Sequence, residues 1–250
     1  MKTDQLTSMG QSLPELMPGH ALFLDFDGTL APLQDDPDTV TLPDDGPVCL
    51  NTLAEKINGA LVLISGRDVR DLCARTPSTL WRVGGHGHDI CRPGEHPSRV
   101  AITAPTALRQ AAEQIICDID GTRIEEKGAV LAVHYRQNPA AGTDLATKLQ
   151  SLAQRMPGYA FQHGKMVIEL KPAGVDKGTA LKAIMSLPLF TGRIPIMIGD
   201  DRTDEDAMQA AIDLGGTGIK VGAGQTCARH RFEDPDAVWH WLKEQIDEHA

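Results

Sequence analysis

The sequence predicts an α/β chain: a parallel sheet covered on both faces, with a small α+β domain inserted into it. Three observations carry this. Short continuous apolar runs occur at residues 21–26 (ALFLDF), 60–64 (ALVLI) and 194–198 (IPIMI), each followed within a few residues by glycine. Runs of that length and continuity mark strands buried on both faces. Stretches of helical character separate them, as crossover connections of a parallel sheet require. Between the second and third runs the pattern changes to helix, two strands, helix, two strands.

In chain order, the first run lies between Gly19 and Gly28 and has the length of a strand. The second ends at Ser65-Gly66-Arg67, ahead of a mixed polar and apolar stretch with helical spacing. Residues 104–117 then read as a helix and 123–126 with 129–134 as a strand pair. Residues 141–155 read as a second helix and 159–162 with 166–170 as a second pair. Pro and Gly gather near 93–97 and 171–174 and bound this middle unit. The expected division is therefore 1–98 with 172–250 as the core domain and 99–171 as the insert. The third run, ending at Gly199-Asp200-Asp201, returns the chain to the sheet.

A chain of 250 residues is long enough for one large domain carrying a smaller one. Its formal net charge of −10 speaks against nucleic acid and anionic membrane surfaces, which need clustered positive charge. No segment reaches the length of a bilayer-spanning helix, and the N-terminal stretch lacks the basic start and apolar run of a signal peptide. The five cysteines (Cys49, Cys73, Cys91, Cys117, Cys227) are odd in number and share no C-x-x-C spacing. They read as free thiols in a reducing compartment, so the expectation is a soluble cytoplasmic protein.

Four pieces carry chemistry. In Asp25-Phe26-Asp27-Gly28-Thr29-Leu30, alternation along an extended chain lets Asp25 and Asp27 address one site. Gly28 permits a sharp turn that brings N–H groups to an anion. Alone this is also an ordinary Asp-Gly turn, or the metal-binding D-x-D of sugar transferases. Gly199-Asp200-Asp201-Arg202-Thr203-Asp204 sets three carboxylates after another buried strand, a crowding that a cation relieves. Hard carboxylate oxygens suit Mg²⁺. Asp200 and Asp201 are read as metal ligands. Asp204 is shared between the site and helix capping, because Thr203 and Asp206 have capping-box spacing. Ser65-Gly66-Arg67 offers a hydroxyl and N–H groups at a strand end, which suits a phosphate oxygen or a plain loop opening. Lys177, ahead of a helical stretch, would alone be surface. A second D-x-D-G-T, Asp118-Ile119-Asp120-Gly121-Thr122, follows a helical pattern and reads as a turn inside the inserted domain.

Together and in this order the four pieces resemble the haloacid dehalogenase (HAD) superfamily, whose members pair D-x-D-G-T with a Ser or Thr, a Lys and G-D-D-x-x-D. The resemblance implies a Rossmann-like core with a C2-type cap where the α+β insert falls. It implies Asp25 as nucleophile, Asp27 as general acid and then base, and a phosphate cradle of Ser65, Gly28, Gly66 and Lys177. It also implies Mg²⁺ held by Asp25, Asp200 and the Asp27 carbonyl, with Asp201 and Asp204 orienting metal waters and the lysine.

The stretches LFLDFDGTLAP, ALVLISGRD, GGHGHD, IEEKGAVLAVHYR, GKMVIELKP, DKGTAL and GDDRTDED resemble, more narrowly, the trehalose-6-phosphate phosphatase family, over nearly the whole chain. That resemblance implies a phosphomonoester hydrolase whose cap residues Glu125, Lys127 and Glu169 contact the sugar, with Arg67 and His86 nearby. Without it these three would read as a solvated strand face. Asp89 and His88 stand where the family carries Glu and a small residue. The implied setting is trehalose biosynthesis, with a trehalose-6-phosphate synthase as functional partner. Alternatives are a phosphatase of another sugar phosphate, a phosphomannomutase-like isomerase, and an inactive sugar-phosphate binder. A mutase calls for clustered cap arginines, whereas Arg123, Arg136 and Arg155 are scattered.

Overall fold

The structure, a computed structural model, describes residues 13–34, 36–98, 103–164 and 166–247. The chain opens with β1 (His20–Leu24), α1 (Gly46–Lys56), β2 (Leu61–Ile64), α2 (Val69–Arg75), β3 (Trp81–Gly84) and β4 (Asp89–Cys91). There follow α3 (Thr106–Ile116), β5 (Arg123–Lys127), β6 (Val130–His134), α4 (Gly142–Arg155), β7 (Tyr159–Gly164) and β8 (Val167–Pro172). It ends with α5 (Lys177–Met185), β9 (Ile194–Gly199), α6 (Arg202–Asp213), β10 (Thr217–Val221), β11 (His230–Phe232) and α7 (Pro235–Asp247).

Two sheets result. The larger has the order β11-β10-β9-β1-β2-β3-β4 and is parallel except where β4 turns back along β3. Leu24 pairs with both Leu63 and Ile198, so the three central strands end level. Their side chains are apolar on both faces because both are covered: Leu22, Phe23, Leu24, Val62, Leu63, Met197 and Ile198 are all fully buried. Burial of each such side chain stabilises the fold by roughly 1.5–3 kcal/mol. Phe190 braces this core, packing on Phe23 and edge-on to Trp81 at 5.4 Å.

The smaller sheet is antiparallel, β5-β6-β8-β7, with its own core. Its two faces follow from a period of two. Ile124, Leu131, Val133, Ile168 and Leu170 point one way and pack with Leu108, Leu145 and Leu149 of α3 and α4. The register Glu125↔Ala132↔Glu169 and Arg123↔His134↔Val167 puts the polar residues on the other face. The inserted α+β pattern is thus present with its element order as read.

Four core strands escaped the sequence reading: β3, β4, β10 and β11. Two are only three residues long, and β10 (TGIKV) carries a lysine that breaks the apolar run. The second D-x-D-G-T forms a turn between α3 and β5, with Gly121 at φ +76° and Asn138 Nδ2 donating to the Asp120 carbonyl. The expected junction at 98/99 borders residues 99–102, which lie outside the described residues. Among the described residues no helix is long and apolar enough to cross a membrane.

Candidate active site

Level strand ends bring the motifs together. Asp25 follows β1, its N–H donating to the Ile198 carbonyl at 3.0 Å, and Ser65 follows β2, its N–H donating to Val83 at 2.9 Å. Asp200 follows β9 directly. Lys177 opens α5, whose start is fixed by a capping box. The Asp176 carboxylate accepts from the Thr179 N–H, and the Asp176 N–H donates to the Thr179 hydroxyl.

Lys177 is the electrostatic centre. Its ammonium donates to Asp25 Oδ1 and Asp204 Oδ1, both at 2.6 Å, with almost no side chain exposed. Burial alone would lower its pKa, but the Asp204 and Asp25 carboxylates prevail and hold it well above the usual lysine range. Burial raises Asp25 and Asp200 above the usual carboxylate range, and the neighbouring acids add to it. Burying like charges together is costly, and a cation relieves it.

Oxygens of Asp25, Asp200 and Asp204 lie within 4.8 Å of one another, close enough to share a metal ion. Of these, Asp204 already accepts three hydrogen bonds, Oδ1 from Lys177 and Oδ2 from the N–H groups of Asp200 and Asp201 at 3.0 Å. Among the described residues nothing hydrogen-bonds to the Asp200 carboxylate, so a cation fits against Asp200 and the second oxygen of Asp25. One expected ligand, Asp201, has other partners on one of its oxygens. The Asp201 carboxylate caps α6, accepting from the Thr203 N–H, the Thr203 hydroxyl and the Asp204 N–H. Burial would raise its pKa, but Lys177 and these hydrogen bonds hold it well below the carboxylate range. The capping box is therefore Asp201 with Asp204, not Thr203 with Asp206, because the helix begins two residues earlier than the spacing suggested. The Asp27 carboxylate lines the same cavity as Asp25 and is gripped by Arg67, through Nε and Nη2 at 2.6 Å each.

The sequence reading turns N–H groups at Gly28 toward an anion; in the structure the Gly28 N–H donates to the Ala31 carbonyl at 2.7 Å. At φ +81°, a Cβ on Gly28 would sit 2.3 Å from Asp200 Oδ2, so glycine makes room for that carboxylate. Gly66 has the analogous duty toward His86, whose ring would be 2.6 Å from an added Cβ. His86 itself is buried with φ +57°, its Nδ1 lacks a partner among the described residues, and its Nε2 faces Glu169 Oε2 at 3.8 Å. Burial, reinforced by Lys177, drives its pKa down from 6.5 to about 3.

This shift has a sign that can be measured. Between about 6.5 and 3 an unfolded chain protonates this histidine while the folded one does not, so stability is present above that window and falls as pH drops through it. In His86→Gln, urea unfolding at pH 7 and pH 5 is expected to lose about 2 kcal/mol less between the two conditions than wild type. Equal losses would show that His86 titrates normally.

One cavity of about 470 Å³ collects most of the expected residues: Asp25, Asp27, Ser65, Gly66, Arg67, His86 and Lys177 from the core, with Asp201 at its edge and Glu125, Lys127 and Glu169 from the smaller sheet. The volume lies within the roughly 300–1,000 Å³ of small-molecule pockets. Asp200, Asp204 and Gly28 do not reach its wall. Glu125 Oε2 meets His134 Nε2 at 2.7 Å, and that hydrogen bond holds its pKa below the usual range. Glu169, mostly buried, is pushed up by desolvation.

Two contributors, Lys220 and Asp71, escaped the sequence reading, and a third, His134, reads there only as a cap or surface residue. Lys220 of β10 is buried and donates to the Asp200 carbonyl, fixing the peptide that carries the open carboxylate. His134 orients Glu125. Asp71 holds Arg67, and its signal, an acid four residues after Arg67 and four before Arg75, was available as helical spacing.

The family model described as Trehalose-phosphatase matches residues 23–234. The chain is 39% identical over 235 residues to a trehalose-6-phosphate phosphatase of Escherichia coli K12, covering 92% of this chain and 88% of that one. It is 40% identical over 207 residues to a probable trehalose-phosphate phosphatase of Sinorhizobium fredii, covering 81% and 77%. Among solved structures, an Aspergillus fumigatus trehalose-6-phosphate phosphatase superposes with a TM-score of 0.68 at 26% identity, covering 92% of this chain and 93% of that one. A haloacid dehalogenase-like hydrolase from Bacteroides thetaiotaomicron shares the fold, with a TM-score of 0.62 at 16% identity over 90% and 98% of the two chains.

Proposed function

The chain belongs to the trehalose-phosphatase family, and from that membership we propose that it hydrolyses trehalose 6-phosphate to trehalose and inorganic phosphate through an aspartyl phosphate on Asp25. One observation supports this above others: a single cavity has a buried Asp–Lys pair and Ser65 on one wall and a face of hydroxyl-binding charges on the other. Phosphoryl chemistry needs the first, and a leaving group covered in hydroxyls matches the second.

Asp25 attacks phosphorus as the ester bond to the sugar's 6-oxygen breaks, and Asp27 gives that oxygen its proton. Water then attacks the acyl phosphate, Asp27 takes the proton, and phosphate leaves with Asp25 restored. Lys177 holds Asp25 in place and balances phosphoryl charge, while the Ser65 hydroxyl and the N–H of Gly66 face a phosphate oxygen. Asp25, Asp200 and the Asp27 carbonyl would hold Mg²⁺, which when bound neutralises phosphoryl oxygens. We assign chemistry to residues 1–98 and 172–250 and substrate selection to a cap of residues 99–171. The cytoplasm is the proposed compartment, and an enzyme that makes trehalose 6-phosphate the functional partner.

Phosphate release from trehalose 6-phosphate, sucrose 6-phosphate, glucose 6-phosphate and p-nitrophenyl phosphate tests the substrate. The expected result is the highest kcat/KM on trehalose 6-phosphate; comparable values on all would overturn it. Ala at Glu125, Lys127 or Glu169 removes a charged partner from a desolvated sugar site, a loss of roughly 2–4 kcal/mol each. Each variant is thus expected to depress kcat/KM for trehalose 6-phosphate by about 10²-fold and to change p-nitrophenyl phosphate much less. Equal losses on both substrates in a folded variant would move sugar recognition elsewhere.

A further inference from the structure

The sequence resemblance places Arg67 near the sugar, yet its donors point elsewhere. A guanidinium has five N–H groups. Nε and Nη2 donate to the two Asp27 oxygens at 2.6 Å, Nη2 also to the Pro37 carbonyl at 2.9 Å, and Nη1 to Asp71 Oδ2 at 2.7 Å. One N–H is left for a ligand. Asp71 is in turn gripped by Arg75, through Nε at 2.9 Å and Nη2 at 2.8 Å, and Arg75 Nη1 donates to the carbonyls of Asp38 and Val40. The guanidinium also lies over the Phe26 ring, 5.4 Å from its centre.

We propose that Arg67 is a positioning residue for Asp27, and that Asp71, braced by Arg75, keeps the fork aimed there. This rests on the proposed role of Asp27 as the acid and base of a phosphatase. The geometry suits that role. Asp27 directly precedes the turn at Gly28 and is partly exposed, so its side chain needs an outside constraint to face the scissile oxygen. A two-pronged fork fixes both the position and the plane of a carboxylate, which a single contact does not. Each carboxylate oxygen keeps a second lone pair, so a forked Asp27 can still exchange a proton with substrate or water. Residues 67, 71 and 75 recur at intervals of four, so they line one side of α2 and its lead-in, and the loop carbonyls of Pro37, Asp38 and Val40 close the frame. Loop and helix thereby hold one side chain that neither touches directly.

The test compares kcat and KM on trehalose 6-phosphate and p-nitrophenyl phosphate for Arg67→Lys, Asp71→Asn and the double variant. Lysine keeps the charge and loses the fork. For Arg67→Lys, kcat on trehalose 6-phosphate is expected to fall about 10-fold or more with KM within about 2-fold of wild type. The fall should be smaller on p-nitrophenyl phosphate, whose leaving phenolate needs little help from an acid. Asp71→Asn should move in the same direction, Asp71→Glu should restore most of kcat, and the double variant should be no worse than Arg67→Lys, because Asp71 acts through Arg67. A raised KM at unchanged kcat in Arg67→Lys would make it a sugar contact and overturn the proposal. Additive losses in the double variant would overturn the Asp71 link. If Asp71→Asn does not fold, Arg75→Gln takes its place with the same expected pattern. Wild-type protein that releases phosphate from no substrate would sink the phosphatase assignment itself, a different result from any of these.

Discussion

Asp25→Asn is expected to lower phosphate release from trehalose 6-phosphate by at least about 10³-fold, with no loss of thermal stability. The amide keeps the shape of the carboxylate and an oxygen that Lys177 can meet at the 2.6 Å seen for Asp25 Oδ1, so packing is undisturbed. What disappears is the attacking charge. Stability should hold or rise, since burial and the neighbouring Asp200 and Asp201 disfavour a carboxylate at this point. Lys177 keeps its second partner, Asp204, also at 2.6 Å. Opposite movements of activity and melting temperature are what separate a nucleophile from a structural acid, because functional sites hold groups that the fold would be more stable without. Retention of more than about a tenth of wild-type turnover would rule out the aspartyl-phosphate route.

The residues that sequence made legible are those whose placement depends on one strand end. Asp25, Ser65 and Asp200 each stand at the carboxyl end of a strand read from an apolar run, and parallel pairing levels those ends, so reading three runs was enough to gather three motifs. Lys177 was found by its order along the chain, and its burial between two aspartates is what makes that position matter. Contacts that depend on tertiary register were not legible. Nothing local marks Lys220 as buried, or says that its ammonium reaches a carbonyl twenty residues away. The grip of Arg67 on Asp27 spans forty residues and joins two loops, so spacing alone left Arg67 free for the sugar. Asp201 and Asp204 illustrate competition for the same atoms: both belong to the motif, but a helix start beside the site draws the first into capping and the second into anchoring Lys177. The polar face of the smaller sheet was legible only as alternation; whether it met solvent or the core motifs depended on how the two units pack, and one shared cavity supplies that answer.

Removal of divalent metal is expected to reduce turnover to background, and Mg²⁺ but not Ca²⁺ to restore it. Ca²⁺ takes more ligands at longer distances than Mg²⁺, and here the oxygens left for a cation are few: one on Asp25 and the carboxylate of Asp200, beside a backbone already tied to Lys220. The remaining positions must be filled by water and phosphate, the coordination that Mg²⁺ prefers. Two alanine variants separate holding a metal from holding the fold. Asp200→Ala removes the carboxylate that has no protein donor, so the Mg²⁺ concentration for half-activation should rise steeply while the melting temperature stays level or climbs as repulsion with Asp204 and Asp201 is relieved. Asp204→Ala leaves a buried ammonium with one partner in place of two and frees the N–H groups of Asp200 and Asp201. Breaking a buried ion pair typically costs about 3–5 kcal/mol, which corresponds to roughly 10 °C in a chain of this size. Its half-activation by Mg²⁺ should shift less than that of Asp200→Ala. Full turnover in excess chelator, or the reverse ranking of the two variants, would remove the cation from this cluster and leave Lys177 and Lys220 as its counter-charges.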